Sequence, residues 1–147
     1  ERYCFNERGE MQTGLQSLKQ ADGSFASYYF GDDGVMRTGK QTIYNDDLEE
    51  NQIWYFQTKG SLKGQGYHGE RDNQVYVNGL LKKADPELRY EPVSTGEKRY
   101  LVNTSGTIQK ATSSSSSASR PELGKGFKDI KDSNDTVWTV DTSGIIQ

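Results

Sequence analysis

The sequence has little of what stabilises a conventional globular domain. Only 31% of its 147 residues are hydrophobic, against about 45–50% in typical domains when glycine is counted. The mean hydropathy is −0.91. Aliphatic surface is therefore too scarce to offset the conformational entropy that folding removes. Such a composition is typical of disordered chains, but 11% of the residues are aromatic, which disorder does not explain.

Further absences exclude whole classes of protein. A single cysteine, Cys4, excludes an internal disulfide framework and a Cys-based zinc site. No apolar run approaches the ~20 residues of a membrane span. The 18 Lys and Arg are scattered among 21 acids, so there is no basic stripe for nucleic acid. We predict no catalytic residue, metal site or cofactor, because no nucleophile or carboxylate is marked as a partner for His68, the single histidine.

An internal repeat accounts for the aromatic content. The segment from Tyr3 to Gln16 aligns with the segment from Tyr28 to Gln41 at a shift of 25. Seven identities result: Tyr3 with Tyr28, Phe5 with Phe30, Gly9 with Gly34, Met11 with Met36, Thr13 with Thr38, Gly14 with Gly39, and Gln16 with Gln41. Weaker copies occupy residues 54–62, 75–81, 100–109 and 138–147.

Each copy has the pattern of a β-hairpin. An aromatic or β-branched triplet favours a strand, and Asn, Asp, Thr or Ser before Gly favours a turn with positive φ. A lone hairpin is marginal in water, but stacked hairpins bury one another's aromatics. We therefore predict an all-β solenoid of stacked hairpins with little or no helix. Residues 1–74 hold the well-matched hairpins, 75–110 degenerate ones, 111–136 a Ser-rich low-complexity loop and polar extension, and 137–147 the final hairpin.

The unit Tyr-Tyr-Phe-x-x-x-Gly-x-Met-x-Thr-Gly-x-Gln resembles the cell-wall-binding and glucan-binding repeats of Gram-positive surface proteins. That group includes choline-binding-like β-hairpin repeats and the C-terminal repeats of clostridial toxins, and Phe5–Gln16 and Tyr28–Gln41 carry the match. The resemblance implies a non-catalytic module, extracellular at a bacterial surface or secreted. It further implies a cell-wall polymer or glycan as partner, with no nucleic acid and no membrane insertion. Since the chain opens at Glu1-Arg2-Tyr3, we expect other domains in the same polypeptide.

The position after the Thr-Gly pair bears on the ligand. The choline-binding subgroup carries Trp there, whereas this sequence has Gly14-Leu15 and Gly39-Lys40. A lysine repels a quaternary ammonium and a leucine offers no aromatic face, so a glycan is favoured over choline. The alternative function is a structural spacer or adhesin stalk whose degenerate repeats bind nothing.

Glycan binding would combine aromatic rings, which stack on sugars, with amides and charges, which bond hydroxyls. The candidate ligand-binding residues are Tyr28, Tyr29, Trp54, Tyr55, Tyr67, Gln16, Gln41 and Lys40. Strand alternation places Tyr29 and Tyr55 on the face opposite Phe30 and Phe56, which favours these two tyrosines as ligand residues. The alternative is that the triplet aromatics form only the core between hairpins.

Overall fold

A computed structural model describes all residues from Glu1 to Gln147 and confirms the all-β prediction. It contains fourteen strands and one turn of 3-10 helix, Pro121–Leu123, and no helix is long and apolar enough to cross a membrane. The chain divides into two compact units. The first comprises Glu1–His68 and Tyr76–Leu81, and the second comprises Gly69–Val75 and Lys82–Gln147.

The first unit is built from short antiparallel strands. The strands up to Leu81 are β1 (Cys4–Phe5), β2 (Met11–Gln12), β3 (Gly14–Lys19), β4 (Phe25–Phe30), β5 (Met36–Arg37), β6 (Gly39–Asn45), β7 (Glu50–Phe56), β8 (Gly69–Arg71), β9 (Gln74–Val77) and β10 (Leu80–Leu81). β8 and the first half of β9 belong to the second unit. β1 pairs with β2, β3 to β5 form one sheet in chain order, and β7 lies between β6 and β10 in another.

Five of the six predicted hairpins form at their predicted turns, and the later three pair Val77 with Leu80, Val102 with Ile108 and Val140 with Ile146. Phe5 pairs with Met11, and Phe30 pairs with Met36. In the first turn the backbone N–H of Gly9 donates to the carbonyl of Asn6 over 2.9 Å. The Asn6 side-chain oxygen also accepts two backbone N–H groups at 2.9 Å, which is why an Asn or Asp opens such turns.

Longer hairpins connect the repeats, and the sequence pattern did not indicate them. β3 pairs with β4 from Gly14 opposite Phe30 to Lys19 opposite Phe25, and β6 pairs with β7 along seven residues each. The aromatic triplets at residues 28–30 and 54–56 therefore end the second strand of a long hairpin. β3 alternates half-buried and exposed residues but contains few apolar ones, so its hydrophobic period is faint.

The second unit contains two further hairpins with a small aliphatic core. Their strands are β11 (Tyr90–Ser94), β12 (Arg99–Asn103), β13 (Lys128–Lys131) and β14 (Val137–Val140). β11 pairs with β12 and β13 with β14, and β14 continues into the last short hairpin, in which Val140 pairs with Ile146. Leu101, Ile130 and Val140 are buried together, and Tyr90, Trp138 and Ile146 pack against them.

Successive hairpins touch at their turn glycines. A Cβ placed on Gly34 would lie 2.2 Å from the Met11 sulfur, and one on Gly64 would lie 2.3 Å from the Met36 sulfur. In the second unit, a Cβ on Gly144 would lie 2.1 Å from Cγ2 of Ile108. Met11, Met36 and Ile108 each stand two residues after a turn glycine of their own hairpin. The apolar side chain that ends one hairpin therefore packs on the turn backbone of a later hairpin.

A carboxylate contacts the Ser-rich segment, which the sequence indicated as a flexible loop. The hydroxyl groups of Ser117, Ser119 and Thr139 and the backbone N–H of Ser119 all donate to Asp129. Burial by itself raises the pKa of Asp129, but these hydrogen bonds outweigh it and lower the pKa to about 2. Through these hydrogen bonds Asp129, a residue of β13, joins Ser117 and Ser119 to the β13–β14 hairpin.

We expect Gly34→Ala to destabilise the first unit more than Gly9→Ala. Both glycines have a φ near +80°, so an alanine pays the same backbone cost of about 1 kcal/mol at each. Only the Gly34 methyl would displace a side chain, that of Met11, which adds about 1 kcal/mol. Urea denaturation followed by circular dichroism measures the difference, and equal losses would contradict the turn-glycine contact.

We expect Asp129→Asn to lower the free energy of unfolding at pH 7 by about 1–3 kcal/mol, since the buried Ser117 and Thr139 hydroxyls lose a charged acceptor. The folded-state pKa lies below the unfolded value, so the carboxylate stabilises the fold above pH ~4 and this contribution is lost as the pH falls towards 2. The difference in the free energy of unfolding between the parent and the variant should therefore vanish as the pH falls from about 4 to 2. Asp46→Asn, in an exposed turn, is the matched control.

Candidate functional site

The eight residues predicted to bind a ligand all lie in the first unit. Strand register brings six of them together as cross-strand neighbours: Gln16 with Tyr28, Gln41 with Trp54, and Lys40 with Tyr55. An aromatic residue and a polar residue thus lie opposite each other within one hairpin in each case. What each side chain then contacts decides whether it is available to a ligand.

The side chains of Gln16 and Gln41 each form a hydrogen bond to the backbone at the bend that precedes them. The amide nitrogen of Gln16 donates to the carbonyl of Thr13, and that of Gln41 donates to the carbonyl of Thr38, both over 2.8 Å. The Thr-Gly-x-Gln part of the repeat is therefore a local structural motif, in which the glutamine satisfies the carbonyl at a bend. Lys40, by contrast, is exposed opposite Tyr55.

The middle aromatics of the triplets take part in packing between hairpins. The Tyr29 ring stacks on Phe56 with centroids 6.1 Å apart and an interplanar angle of 18°. Tyr55 lies 6.1 Å from Tyr67 and 6.0 Å from Tyr76. Register does place Tyr29 on the face opposite Phe30, as predicted, but a neighbouring hairpin contacts that face as well. Tyr28 is half-buried on the inner face.

Trp54 also packs within the first unit. Its ring is parallel to that of Phe56 at 6.0 Å, and Gly79 lies against its six-membered edge, since a Cβ there would come within 3.0 Å of Cε3. The indole N–H is buried without a hydrogen-bond partner. The ring is therefore held by packing alone.

An open cleft of about 700 Å³ lies elsewhere in the first unit. One wall is the tip of the β3–β4 hairpin, with Gln20, Asp22 and Phe25, and the other follows Phe56, with Leu62, Gln65 and Tyr67. We call this the Phe25 cleft. Tyr67 is the one residue of the predicted set that lines it.

Hydrogen bonds between the two walls fix the width of the cleft. The Gln65 amide donates to the side-chain oxygen of Gln20 over 3.1 Å, and the Gly66 backbone N–H donates to the carbonyl of Ser27 over 2.8 Å. The Gln20 amide donates in turn to its own strand, at the carbonyl of Leu18. The hairpin tip is therefore tied to the opposite wall.

Backbone hydrogen bonds also hold the floor residues. The Tyr67 N–H donates to Tyr55, and the Tyr67 carbonyl accepts the N–H of Gly79, over 2.9 and 2.7 Å. The Asn78 N–H donates to Nδ1 of His68 over 3.2 Å, so the neutral imidazole carries its proton on Nε2. His68 and Asn78 both line the cleft, and they add a side-chain donor and an amide to it.

The charge of the cleft comes from one carboxylate. Hydrogen bonds from the Ser24 hydroxyl and backbone N–H lower the pKa of Asp22, which keeps it ionised at neutral pH. No lysine or arginine is among the lining residues. The cleft is thus suited to an uncharged or cationic ligand and opposes an anionic one.

Aromatic surface stands beside these polar groups. The Phe25 side chain is 62% exposed and faces the cleft together with Leu62 and Tyr67. The amides of Gln57, Gln65 and Asn78 each offer donors and an acceptor. Stacking surface combined with amides suits a sugar, which has apolar C–H faces and a rim of hydroxyls. No group of three or more His, Cys, Asp or Glu side chains is arranged to hold a metal ion.

The sequence carried a signal for the missed residues. Asp22-Gly23-Ser24 is a turn motif, and Phe25 directly after it is an aromatic at a hairpin tip, where burial is least expected. Gln65, Gly66 and His68 lie in an irregular stretch that is bonded to Gln57 after β7 and to Ser27 of β4. The sequence does not indicate the long β3–β4 hairpin, which holds Phe25 at its tip, so it does not predict that Phe25 lies near Tyr67.

Comparisons with known proteins give the following likenesses. No family model matches the chain. The chain is 26% identical over 106 residues to a protein named large tegument protein deneddylase from murid herpesvirus 1 (strain K181), an alignment that covers 72% of this chain and 5% of that protein.

Two solved structures are similar in fold. CbpJ from Streptococcus pneumoniae TIGR4 aligns with a TM-score of 0.44 and 18% identity, covering 99% of this chain and 44% of that one. Choline binding protein F from Streptococcus pneumoniae aligns with a TM-score of 0.40 and 18% identity, covering 99% and 43%. The chain thus spans less than half of either structure.

We expect Gln20 and Gln65 to stabilise the fold as a pair. Gln20→Ala and Gln65→Ala each remove the bond that joins the cleft walls, so the double variant should lose less than the sum of the single losses. A coupling of about 0.5–1.5 kcal/mol is expected. Urea denaturation of the four proteins measures it, and strict additivity would show that the bond does not join the walls in solution.

Proposed function

We propose that the chain is a non-catalytic module that binds a cell-wall polymer or other glycan in the Phe25 cleft. The observation that carries the proposal is one cleft lined by the exposed Phe25 and Leu62, the half-buried Tyr67 ring and the side-chain amides of Gln57, Gln65 and Asn78. A sugar ring on Phe25 would bury apolar surface while its hydroxyl groups bond to the amides of Gln57, Gln65 and Asn78. The module would act at a bacterial surface or as part of a secreted protein.

The electrostatics narrow the class of glycan. Asp22 faces the cleft, and no lysine or arginine is there to pair with a phosphate or carboxylate. An uncharged polysaccharide is therefore the expected ligand, and uronate-rich or phosphate-rich polymers should bind more weakly. Lys40, which the repeat pattern put forward as a polar partner, lies outside the lining of this cleft.

Choline is a second candidate because of one feature of the same cleft. A carboxylate near exposed aromatic rings attracts a quaternary ammonium, and Asp22 lines the cleft with Phe25 and Tyr67. The side-chain amides of the cleft favour a glycan, because a quaternary ammonium neither accepts a hydrogen bond nor donates one through its nitrogen. The two ligands can be separated by competition.

We expect Phe25→Ala and Tyr67→Ala each to weaken retention of the chain on an uncharged polysaccharide by about tenfold, equivalent to about 1.4 kcal/mol. Affinity electrophoresis in gels containing soluble polysaccharide measures the retention. Tyr44→Ala is the matched control, since Tyr44 is also an exposed aromatic but does not line the cleft. A set of uncharged, uronate-bearing and phosphate-bearing polymers tests the charge argument.

Three outcomes would decide against the proposal. Failure of the folded chain to bind any polysaccharide of the set at high concentration favours the structural spacer. Equal loss of retention in Tyr44→Ala and Phe25→Ala moves the site away from the cleft. Displacement by choline chloride, absent in Asp22→Asn, assigns the cleft to a quaternary ammonium instead.

A further inference from the structure

The Phe25 cleft holds one charged side chain that neither an uncharged glycan nor a quaternary ammonium uses fully. Asp22 is its only carboxylate, and no lysine or arginine lines it. The hydroxyl groups of an uncharged sugar can bond to the amides but bring no opposite charge to Asp22. A quaternary ammonium brings the charge but has no N–H to donate, and it leaves the amides unbonded. The lining therefore suits a ligand that combines a positive charge with hydroxyl groups.

The turn at the tip of the β3–β4 hairpin fixes the Asp22 carboxylate. The Gln20 N–H donates to the carbonyl of Ser24 over 2.7 Å, and the Gly23 N–H donates to the carbonyl of Gln20 over 3.0 Å. The backbone N–H and the hydroxyl of Ser24 both donate to Oδ1 of Asp22, over 2.9 and 2.5 Å. These bonds orient the carboxylate and leave Oδ2 for a donor from a ligand.

The surroundings of Asp22 keep its negative charge effective. The hydrogen bond from the Ser24 hydroxyl, followed by that from the Ser24 backbone N–H, lowers the pKa of Asp22. The carboxylate is therefore ionised under conditions in which a sugar amine is protonated. Lys19, which pairs with Phe25 across the hairpin, and Lys63 are the basic residues nearest to the lining along the chain. Neither of them lines the cleft.

The positions of Asp22 and Phe25 match the build of a single sugar ring. Phe25 follows Asp22 by three residues at the same hairpin tip, and its side chain is exposed. A ring that lies on Phe25 directs its substituents outward from its rim. One substituent can then reach Asp22, while others reach the amides of Gln65 and Asn78, which also line the cleft.

We propose that the Phe25 cleft prefers a glycan whose sugars carry a free amine, and that Asp22 is the residue that selects it. The inference rests on the proposed function, since the sugar lies on Phe25 in both, and it narrows the class of ligand. The protonated amine donates to Oδ2 of Asp22, which forms a charge-assisted hydrogen bond, while hydroxyl groups bond to the amides. N-acetylation of the sugar removes the preference because an acetamide carries no charge.

Three β-1,4-linked glucose-type oligosaccharides of equal length test the inference, because they differ only in the group at C2. The cello-oligosaccharide has a hydroxyl, the chito-oligosaccharide an acetamide, and its fully deacetylated form an amine. Calorimetric titration at low ionic strength, with the amine protonated, measures each Kd. We expect the amine form to bind about three to five times more tightly than the hydroxyl form, the range for an exposed ion pair.

Asp22→Asn should abolish this preference and leave the Kd of the hydroxyl form nearly unchanged, because asparagine keeps an acceptor for the Ser24 N–H. Asp33→Asn is the matched control. Asp33 also precedes a turn glycine, and its carboxylate accepts the Val35 N–H over 3.0 Å, but it does not line the cleft. The control removes the same charge from the chain and should keep the preference.

A trimethylated form of the amine oligosaccharide separates the amine from its charge, since it keeps the charge and loses every N–H. It should bind more weakly than the free amine. Equal binding would show that the cleft responds to positive charge alone, and would overturn the inference.

The remaining outcomes separate this inference from the proposed function. Equal Kd values for the amine and hydroxyl forms, or a preference that survives Asp22→Asn, overturn the inference and leave glycan binding in place. Equal loss of the preference in Asp33→Asn means that the overall charge of the chain attracts the amine, which also overturns it. Failure of all three forms to bind overturns it as well, whereas retention of the chain on another polysaccharide would still support the proposed function.

Discussion

The contact between an apolar side chain and the turn glycine of a later hairpin is the constraint on which the stacking depends. Gly34 and Gly144 combine a positive φ with a Met11 or Ile108 side chain placed where a Cβ would stand. A turn glycine therefore does two things at once, since it permits the bend and lets the next layer approach the backbone. The spacing between turn glycine and apolar residue must be kept for layers to stack, even where the rest of a copy diverges.

The scarcity of aliphatic residues follows from this arrangement. A thin hairpin has no interior of its own, so its rings are buried by the neighbouring layer, as Phe56 is by Tyr29. An aromatic side chain buries roughly 150–250 Å², and few are needed per layer. In the second unit Leu101, Ile130 and Val140 supply the core instead, and a carboxylate, Asp129, organises the serines beside it.

The short hairpins could be predicted from sequence because their signals are local. Asn6 and Gly9 mark the two ends of a turn, and the hydrogen bonds of that turn join residues within it. The long hairpins could not be predicted, because strand pairing between Gly14 and Phe30 is read from hydrophobic alternation and β3 has little of it. The turn after β13 was also missed, since Asp135 adopts the positive φ that a glycine usually marks.

The same reasoning explains why only one of the eight residues predicted to bind a ligand, Tyr67, lines the Phe25 cleft. Alternation correctly assigns Tyr29 and Tyr55 to one face of their strands, but it does not say whether another layer lies on that face. In a stack both faces of a sheet can be buried, so aromatics in strands go first to packing. Aromatics at hairpin tips are then the ones left exposed, as Phe25 is directly after the turn between β3 and β4. Exposed aromatics next to turns are thus better candidates for testing in stacked hairpins than aromatics within the repeat triplets.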